Sequence, residues 1–172
     1  DDVYVSGHLG DARLALEAFR GTVGLPQSVF EMARSRMERP APRTALGASL
    51  RGVATAMADI SDGLLGDLRH ILQASQVGAI IDWPASQGLL AASASWSCPE
   101  ALAMTCVLTG GDDYELVFTA PASARSAVQD AAATSGTTVT RIGQITAEGQ
   151  LTLQDAQGRA IPHSLRSFDH FS

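Results

Sequence analysis

Ala54-Thr55-Ala56-Met57-Ala58-Asp59-Ile60-Ser61-Asp62-Gly63-Leu64-Leu65-Gly66-Asp67-Leu68-Arg69-His70-Ile71-Leu72 changes character once along its length. Residues 54–60 are small and apolar and read as a buried strand. Ser61-Asp62-Gly63 is a turn signal. Beyond it, Leu64, Leu65, Leu68, Ile71 and Leu72 recur at helical spacing and give one apolar face. A strand that runs through a tight turn into an amphipathic helix is therefore the unit to build from.

Working toward the N-terminus, Thr44 starts a helix carrying Leu46, Leu50 and Val53. Before it, a helix from about Gln27 carries Val29, Phe30, Ala33 and Met37 until Pro40 and Pro42 stop it. The first helix has Leu14, Ala15, Ala18 and Phe19 on its apolar face, with Asp11 as its expected cap and Gly21 and Gly24 beyond its end. Val3–Ser6 reads as a strand closed by Gly7-His8-Leu9-Gly10. Working toward the C-terminus, strands are expected at Ala79–Trp83, Tyr114–Thr119, 138–145 and 150–154. Helices are expected from Pro99 to about Thr105 and over roughly 122–134, while residues 84–97 show no firm period. Helices and strands mix without a strict βαβα rhythm, which favours one α+β domain.

Composition narrows the function. There are 172 residues, 45% hydrophobic and 17% charged, enough for one domain with a real core. No lysine and no asparagine occurs, and all 12 basic residues are Arg. A Walker-type Lys, a Schiff-base Lys and a Lys general base are thereby excluded within this chain. The net charge of −6 is uneven, +1 over residues 1–51 and −7 over 52–172. A basic nucleic-acid face does not fit that distribution, whereas an acidic site working through bound cations does. Cys98 and Cys106 make neither a disulfide framework nor a zinc set and read as reduced, partly buried thiols. No apolar run approaches the ~18–20 residues of a membrane span. Asp1 leads into the apolar Val3-Tyr4-Val5 almost at once, so a piece of a longer chain is expected.

The chemistry concentrates in two runs. In Asp59-Ile60-Ser61-Asp62, two carboxylates and a hydroxyl stand within four residues, at a strand end and a helix start. If the strand persists through residue 60, Asp59 and Ser61 share a side, and the turn can swing Asp62 toward them. Such hard oxygen donors suit Mg²⁺, which takes one or two carboxylates and fills its shell with water and phosphate oxygens. The amides of the helix start are expected to add a phosphate-binding surface. The plain alternative is that Ser61 or Asp62 merely caps the helix.

The second run is Gly110-Gly111-Asp112-Asp113-Tyr114-Glu115. Its three acids repel one another unless a cation, an Arg or a donor group lies between them. The two runs together suggest two loops at one end of a sheet, against the plainer reading of a solvated loop for the second. Gly7–Asp11 could cradle a phosphate but reads more simply as a turn. Arg39-Pro40-Ala41-Pro42-Arg43 reads first as a stiff exposed connection and second as an anion contact. His8, His70, His163 and His170 have no metal-ligand spacing, and Cys106 reads as a core thiol. Trp83, Trp96, Phe168 and Phe171 are core candidates, a terminal aromatic being able instead to stack on a heteroaromatic ligand.

Taken in order, Val3–Gly7, Arg39–Arg43, Asp59–Leu64 with Asp67-Leu68, Gly110–Leu116 and Phe168-Asp169-His170-Phe171 resemble the C-terminal half of thiamine-monophosphate kinase, across nearly the whole chain. The resemblance implies a single C-terminal domain over residues 1–172, without the family's N-terminal ATP- and Mg-binding domain. It implies α/β/α layers with partial ferredoxin-like topology, within the superfamily of aminoimidazole ribonucleotide synthetase. It also implies transfer of the ATP γ-phosphate to thiamine monophosphate, giving thiamine diphosphate, with several Mg²⁺ ions and no phosphoenzyme. Carried over by motif, Asp59 and Asp62 bind Mg²⁺, Ser61 contacts ATP, and Asp112 and Phe168 contact the thiamine substrate. Family members often have Glu where Asp112 stands, and Tyr or Trp where Phe168 stands. No catalytic base or nucleophile is expected. The full-length protein is expected to be a cytoplasmic homodimer, and this chain alone inactive. A superfamily relative acting on another acceptor, or a non-catalytic ligand-binding domain of the same fold, are the alternatives.

Overall fold

A computed structural model describes residues 1–162. Six strands form one sheet in the order β2-β4-β1-β5-β3-β6, with β1 Asp2–Ser6, β2 Ala56–Ile60, β3 Gly78–Asp82, β4 Glu115–Ala120, β5 Val139–Thr146 and β6 Leu151–Gln154. Every pairing is antiparallel except β3 with β6. The helices are α1 Asp11–Phe19, α2 Gln27–Glu38, α3 Thr44–Ser49, α4 Leu64–Ser75, α5 Trp83–Gln87, α6 Glu100–Thr109 and α7 Arg125–Ser135.

The alternation of side chains along a strand divides the interior in two. On one face Val3, Val5 and Val117 pack with Leu14, Leu64, Leu68, Ile71 and Val107, so α1, α4 and α6 cover that side. On the other face Tyr4 and Phe118 pack with Leu46, Leu50, Val128 and Ala131 from the α3 region and α7. Tyr4 and Phe118 sit opposite each other in the register and stack, with ring centroids 5.2 Å apart. Three layers, helix–sheet–helix, result. The expected α+β class with a mixed sheet is present.

Two expectations about elements change. Residues 54–60 do not make a buried strand: among the described residues β2 is an edge strand, paired with β4 alone, and Asp59 on it is exposed. Small apolar side chains fit an exposed edge as well as an interior one, so composition alone could not tell them apart. Asp11 does not cap α1 but is its first residue. Its buried carboxylate accepts the Ala91 and Ala92 amides, 3.2 and 3.0 Å away, and so ties the start of α1 to the segment before α6. The undecided stretch 84–97 contains the end of α5 and one 3-10 turn, and the helix opened by Pro99 runs on to Thr109.

At the far end of β1, buried Asp2 accepts hydrogen bonds from Arg125 and Arg141, at 2.6 to 3.0 Å. The Arg125 guanidinium holds the Asp2 carboxyl well below the usual carboxylate range. Among the described residues no helix is long and apolar enough to cross a membrane.

Phe118 is fully buried at the centre of the smaller core. Phe118→Ala is expected to lower unfolding free energy by about 3–5 kcal/mol. Urea denaturation followed by far-UV circular dichroism measures this, and a loss below about 1 kcal/mol contradicts the packing described.

Candidate active site

The strand directions bring the C-terminal ends of β1 and β2 and the N-terminal end of β4 to one edge of the sheet. The loops 7–10, 61–63 and 110–114 leave from that edge. Beyond the last β2–β4 pair, Ile60 with Glu115, two more backbone bonds continue the ladder. Tyr114 N–H donates to the Ile60 carbonyl at 3.0 Å and Asp112 N–H to the Ser61 carbonyl at 2.9 Å. The two acidic runs are thus one hydrogen-bonded unit, as the sequence suggested.

Keeping that register has conformational consequences. Asp112 and Tyr114 adopt positive φ, 66° and 52°, which ordinary residues seldom do. Gly111 lies so close to the other loop that a Cβ would stand 2.3 Å from the Ser61 carbonyl oxygen.

The three acids of the second run separate by direction. Asp112 is exposed, whereas Asp113 and Glu115 turn inward and are buried. Glu115 accepts a two-pronged pair from Arg43, at 2.7 and 2.6 Å, and the Ser6 hydroxyl at 2.5 Å. Arg36 stands 3.6 Å away from it. Arg43 of the Arg39–Arg43 stretch is therefore an anion contact within the molecule and not merely part of an exposed connection. It supplies the cation that three acids in four positions demanded.

Asp113 accepts the Gly10 amide at 2.8 Å and the Ala12 amide at 3.5 Å. The glycine turn 7–10 is accordingly no phosphate cradle, because the chain's own carboxylate occupies the start of α1. The same happens at α4. A single oxygen of Asp67, Oδ2, accepts the amides of Ser61, Asp62 and Gly63, at 3.0, 3.1 and 3.2 Å. The amides of the turn leading into α4 are thus already taken. Neither Ser61 nor Asp62 is the N-cap residue of α4: Gly63 is, at φ 116°, and the capping oxygen comes from within the helix.

Around this framework lie two hollows of about 440 Å³ each. One is lined by Arg13, Arg20, Ser61, Asp62, Gly111 and Asp112, among others. The second, beside the edge strand, is lined by Pro40, Pro42, Arg43, Asp59, Tyr114 and Leu116. Ser61, Asp62 and Asp112 therefore come together, while Asp59 faces the neighbouring groove instead of sharing their side. The turn begins at Ser61, which ends the strand alternation on which that expectation rested. Phe168 lies outside the described residues.

Cys106 is buried as expected, and burial pushes its thiol up to about 12. No group of three or more His, Cys, Asp or Glu side chains able to hold a metal ion occurs among the described residues. Asp62 and the Ser61 hydroxyl line one hollow and Asp59 the neighbouring groove, so each side offers few hard oxygen donors, which fits ions that keep water and phosphate oxygens in their shells.

Sequence reasoning missed Asp67, Asp113, Glu115 and Arg43 as organisers of the site. The signal for Asp67 was an acid in the first turn of the helix, facing a turn with unsatisfied amides.

The fold and site together define a class. The sequence model for the C-terminal domain of AIR synthase related proteins matches residues 5–156, and the chain belongs to that family. Within it the similarity is to thiamine-monophosphate kinases. The Escherichia coli (strain K12) enzyme is 36% identical over all of this chain and 53% of its own length, and the Caulobacter vibrioides enzyme 35% identical over 99% and 48%. The crystal structure of the Stenotrophomonas maltophilia K279a enzyme superposes with a TM-score of 0.81 at 38% identity, covering 94% of this chain and 51% of that one. AaThiL complexed with AMPPCP and TMP superposes with a TM-score of 0.73 at 27% identity, over 99% and 51%. The E. coli hydrogenase maturation protein HypE, at 21% identity and a TM-score of 0.67, shares the fold. The chain spans about half the length of the curated relatives it matches.

Burial pushes the Asp113 carboxyl up to about 7; neighbouring Asp11 adds to this, and the Gly10 and Ala12 amides and Arg36 oppose it. An unfolded Asp loses its proton near pH ~4, while the native one keeps it to about 7. Stability is therefore expected to fall as pH rises between those values. Asp113→Asn should flatten that fall, measured as denaturation midpoints at several pH values across the window. An unchanged slope contradicts the assignment.

Proposed function

We propose that this chain is the C-terminal half of an enzyme that transfers the γ-phosphate of ATP to thiamine monophosphate. The observation that carries the reading is the joining of two acidic loops beside one hollow, Ser61 and Asp62 from one and Asp112 from the other. Similarity to thiamine-monophosphate kinases along the whole chain supports it, as does the relative's complex with AMPPCP and TMP.

In this reading Asp59 and Asp62 hold Mg²⁺, Ser61 contacts ATP, and Asp112 and Phe168 contact the thiamine substrate. Bound Mg²⁺ would offset the repulsion between nucleotide and acceptor, both polyanions. The acceptor oxygen belongs to a phosphate and is already anionic at neutral pH, so the chain needs no general base. Nor does it need a covalent nucleophile, and transfer is direct and in line. At the two helix starts that could have met phosphate charge, Asp67 and Asp113 already take the amides of residues 61–63 and of Gly10 and Ala12. With no lysine in the chain, positive charge toward phosphate in this half comes from Arg and bound cations.

Residues 1–162 supply too few carboxylates to enclose a metal by themselves, which is the ground for proposing that the remaining ligands lie in the other half. Residues 1–172 are read as one domain, and the whole protein as a cytoplasmic homodimer. A relative that phosphorylates another acceptor is the second reading. The exchange of the family's frequent Glu for Asp112 alters reach at the substrate contact and favours testing it.

In the full-length protein, Asp62→Ala is expected to lower kcat/KM with ATP, Mg²⁺ and thiamine monophosphate by at least about 100-fold. A steady-state assay of thiamine diphosphate decides this, and near-normal rates return Asp62 to an ordinary surface role. The 172-residue chain alone is expected to give no turnover; sustained turnover by it contradicts the division of the site between two halves.

A further inference from the structure

Asp67 has no assigned part in nucleotide, metal or substrate binding, yet it holds three consecutive amides of the turn that carries Ser61 and Asp62. Its side chain is buried beneath the first turn of α4, and one oxygen receives three consecutive amides. Those amides are the backbone of Ser61, Asp62 and Gly63, the turn that presents the proposed ATP and Mg²⁺ contacts. Gly63 has no side chain, it adopts a φ of 116°, and a Cβ on it would meet the Thr109 backbone at 2.9 Å. The Ser61 carbonyl, on the opposite side of the same peptide chain, accepts the Asp112 amide. The turn is thus pinned from both sides, by Asp67 through its N–H groups and by the second loop through its carbonyl.

The direction of the contact matters as well as its strength. Three N–H groups drawn inward to one carboxylate are N–H groups that cannot face a bound phosphate. What the turn offers outward is then its side chains, a hydroxyl and a carboxylate. A carboxylate in this place draws the amides of the turn away from any anion at the helix start and leaves the turn's side chains as the oxygen donors for a cation.

We propose that Asp67 is a positioning residue that fixes the Ser61–Gly63 turn in its oxygen-presenting form by binding all three of its amides. The proposal rests on the reading of Ser61 and Asp62 as nucleotide and metal contacts, and it concerns a residue that touches neither ligand.

The test uses the full-length protein and two variants. Asp67→Ala removes every acceptor. Asp67→Asn keeps one carbonyl oxygen in nearly the same place. By hydrogen exchange, without metal or nucleotide, amides 61–63 are expected to exchange at least about 10-fold faster in Asp67→Ala. In Asp67→Asn they should stay within about threefold of wild type. With ATP and thiamine monophosphate, the Mg²⁺ concentration giving half-maximal rate is expected to rise by about 10–100-fold in Asp67→Ala, the range typical of partners that orient a ligand. KM for thiamine monophosphate should change by less than about threefold, and Asp67→Asn should recover most of the Mg²⁺ response.

Unchanged exchange of amides 61–63 in Asp67→Ala overturns the proposal. So does equal loss of the Mg²⁺ response in both variants. If Asp67→Ala does not fold, Asp67→Asn decides: retained protection and Mg²⁺ response support the proposal, and loss of either overturns it. Should wild-type protein not phosphorylate thiamine monophosphate, the functional reading fails while the exchange experiment still judges Asp67.

Discussion

Two backbone hydrogen bonds past the end of a ladder hold this site together. Asp112 N–H to the Ser61 carbonyl and Tyr114 N–H to the Ile60 carbonyl extend the β2–β4 pairing into the loops that follow β2 and precede β4. Without them, the acidic runs at 59–62 and 112–115 would be neighbours only in a loose sense. With them, the loops share one register, and the cost of that register appears as positive φ at Asp112 and Tyr114. Backbone strain of this kind persists only where the surroundings over-determine it.

The surroundings here are buried carboxylates, each assigned to a different task. Glu115 meets Arg43 and Ser6 and anchors the segment between α2 and α3 to the sheet. Asp113 takes the amides at the start of α1, Asp67 those at the start of α4, and Asp11 those of Ala91 and Ala92. Each acid is satisfied by donors that would otherwise be unpaired, the condition for burying such a group at tolerable cost. Of the acids in the two runs, Asp59 and Asp112 are left toward solvent, with Asp62 half-buried between the turns. An acidic chain has thus turned some of its carboxylates inward as framework and left those proposed as ligand contacts at the surface.

Much of this was legible in the sequence. Period changes located most of the strands and helices within a few residues, because each has a clear apolar face; the exceptions were elements without one, such as 84–97. The strand–turn–helix at 54–72 and the pairing of two acidic runs were readable from turn residues and charge alone. What the sequence hid was direction. Alternation said that Asp59 and Ser61 share a side, but the turn starts one residue too early for that. Ala56 and Ala58 suit an edge as well as a centre, so β2 was misplaced. Acids at 67, 113 and 115 look in a sequence like acids at 62 and 112, and only the fold reveals which point inward to amides and arginines. The terminal motif with Phe168 lies beyond the described residues.

The two loops are proposed to act as one site for a cation and its phosphate ligands. This is tested most directly in the full-length protein, with Mn²⁺ in place of Mg²⁺ and a non-hydrolysable ATP analogue, by paramagnetic broadening of backbone amide signals. The account predicts that the amides of Ser61–Gly63 and Gly111–Asp113 broaden together, while those of Ala56 and Ala120 at the far ends of β2 and β4 stay sharp. Broadening of one loop without the other, or of neither while the nucleotide binds, would contradict it.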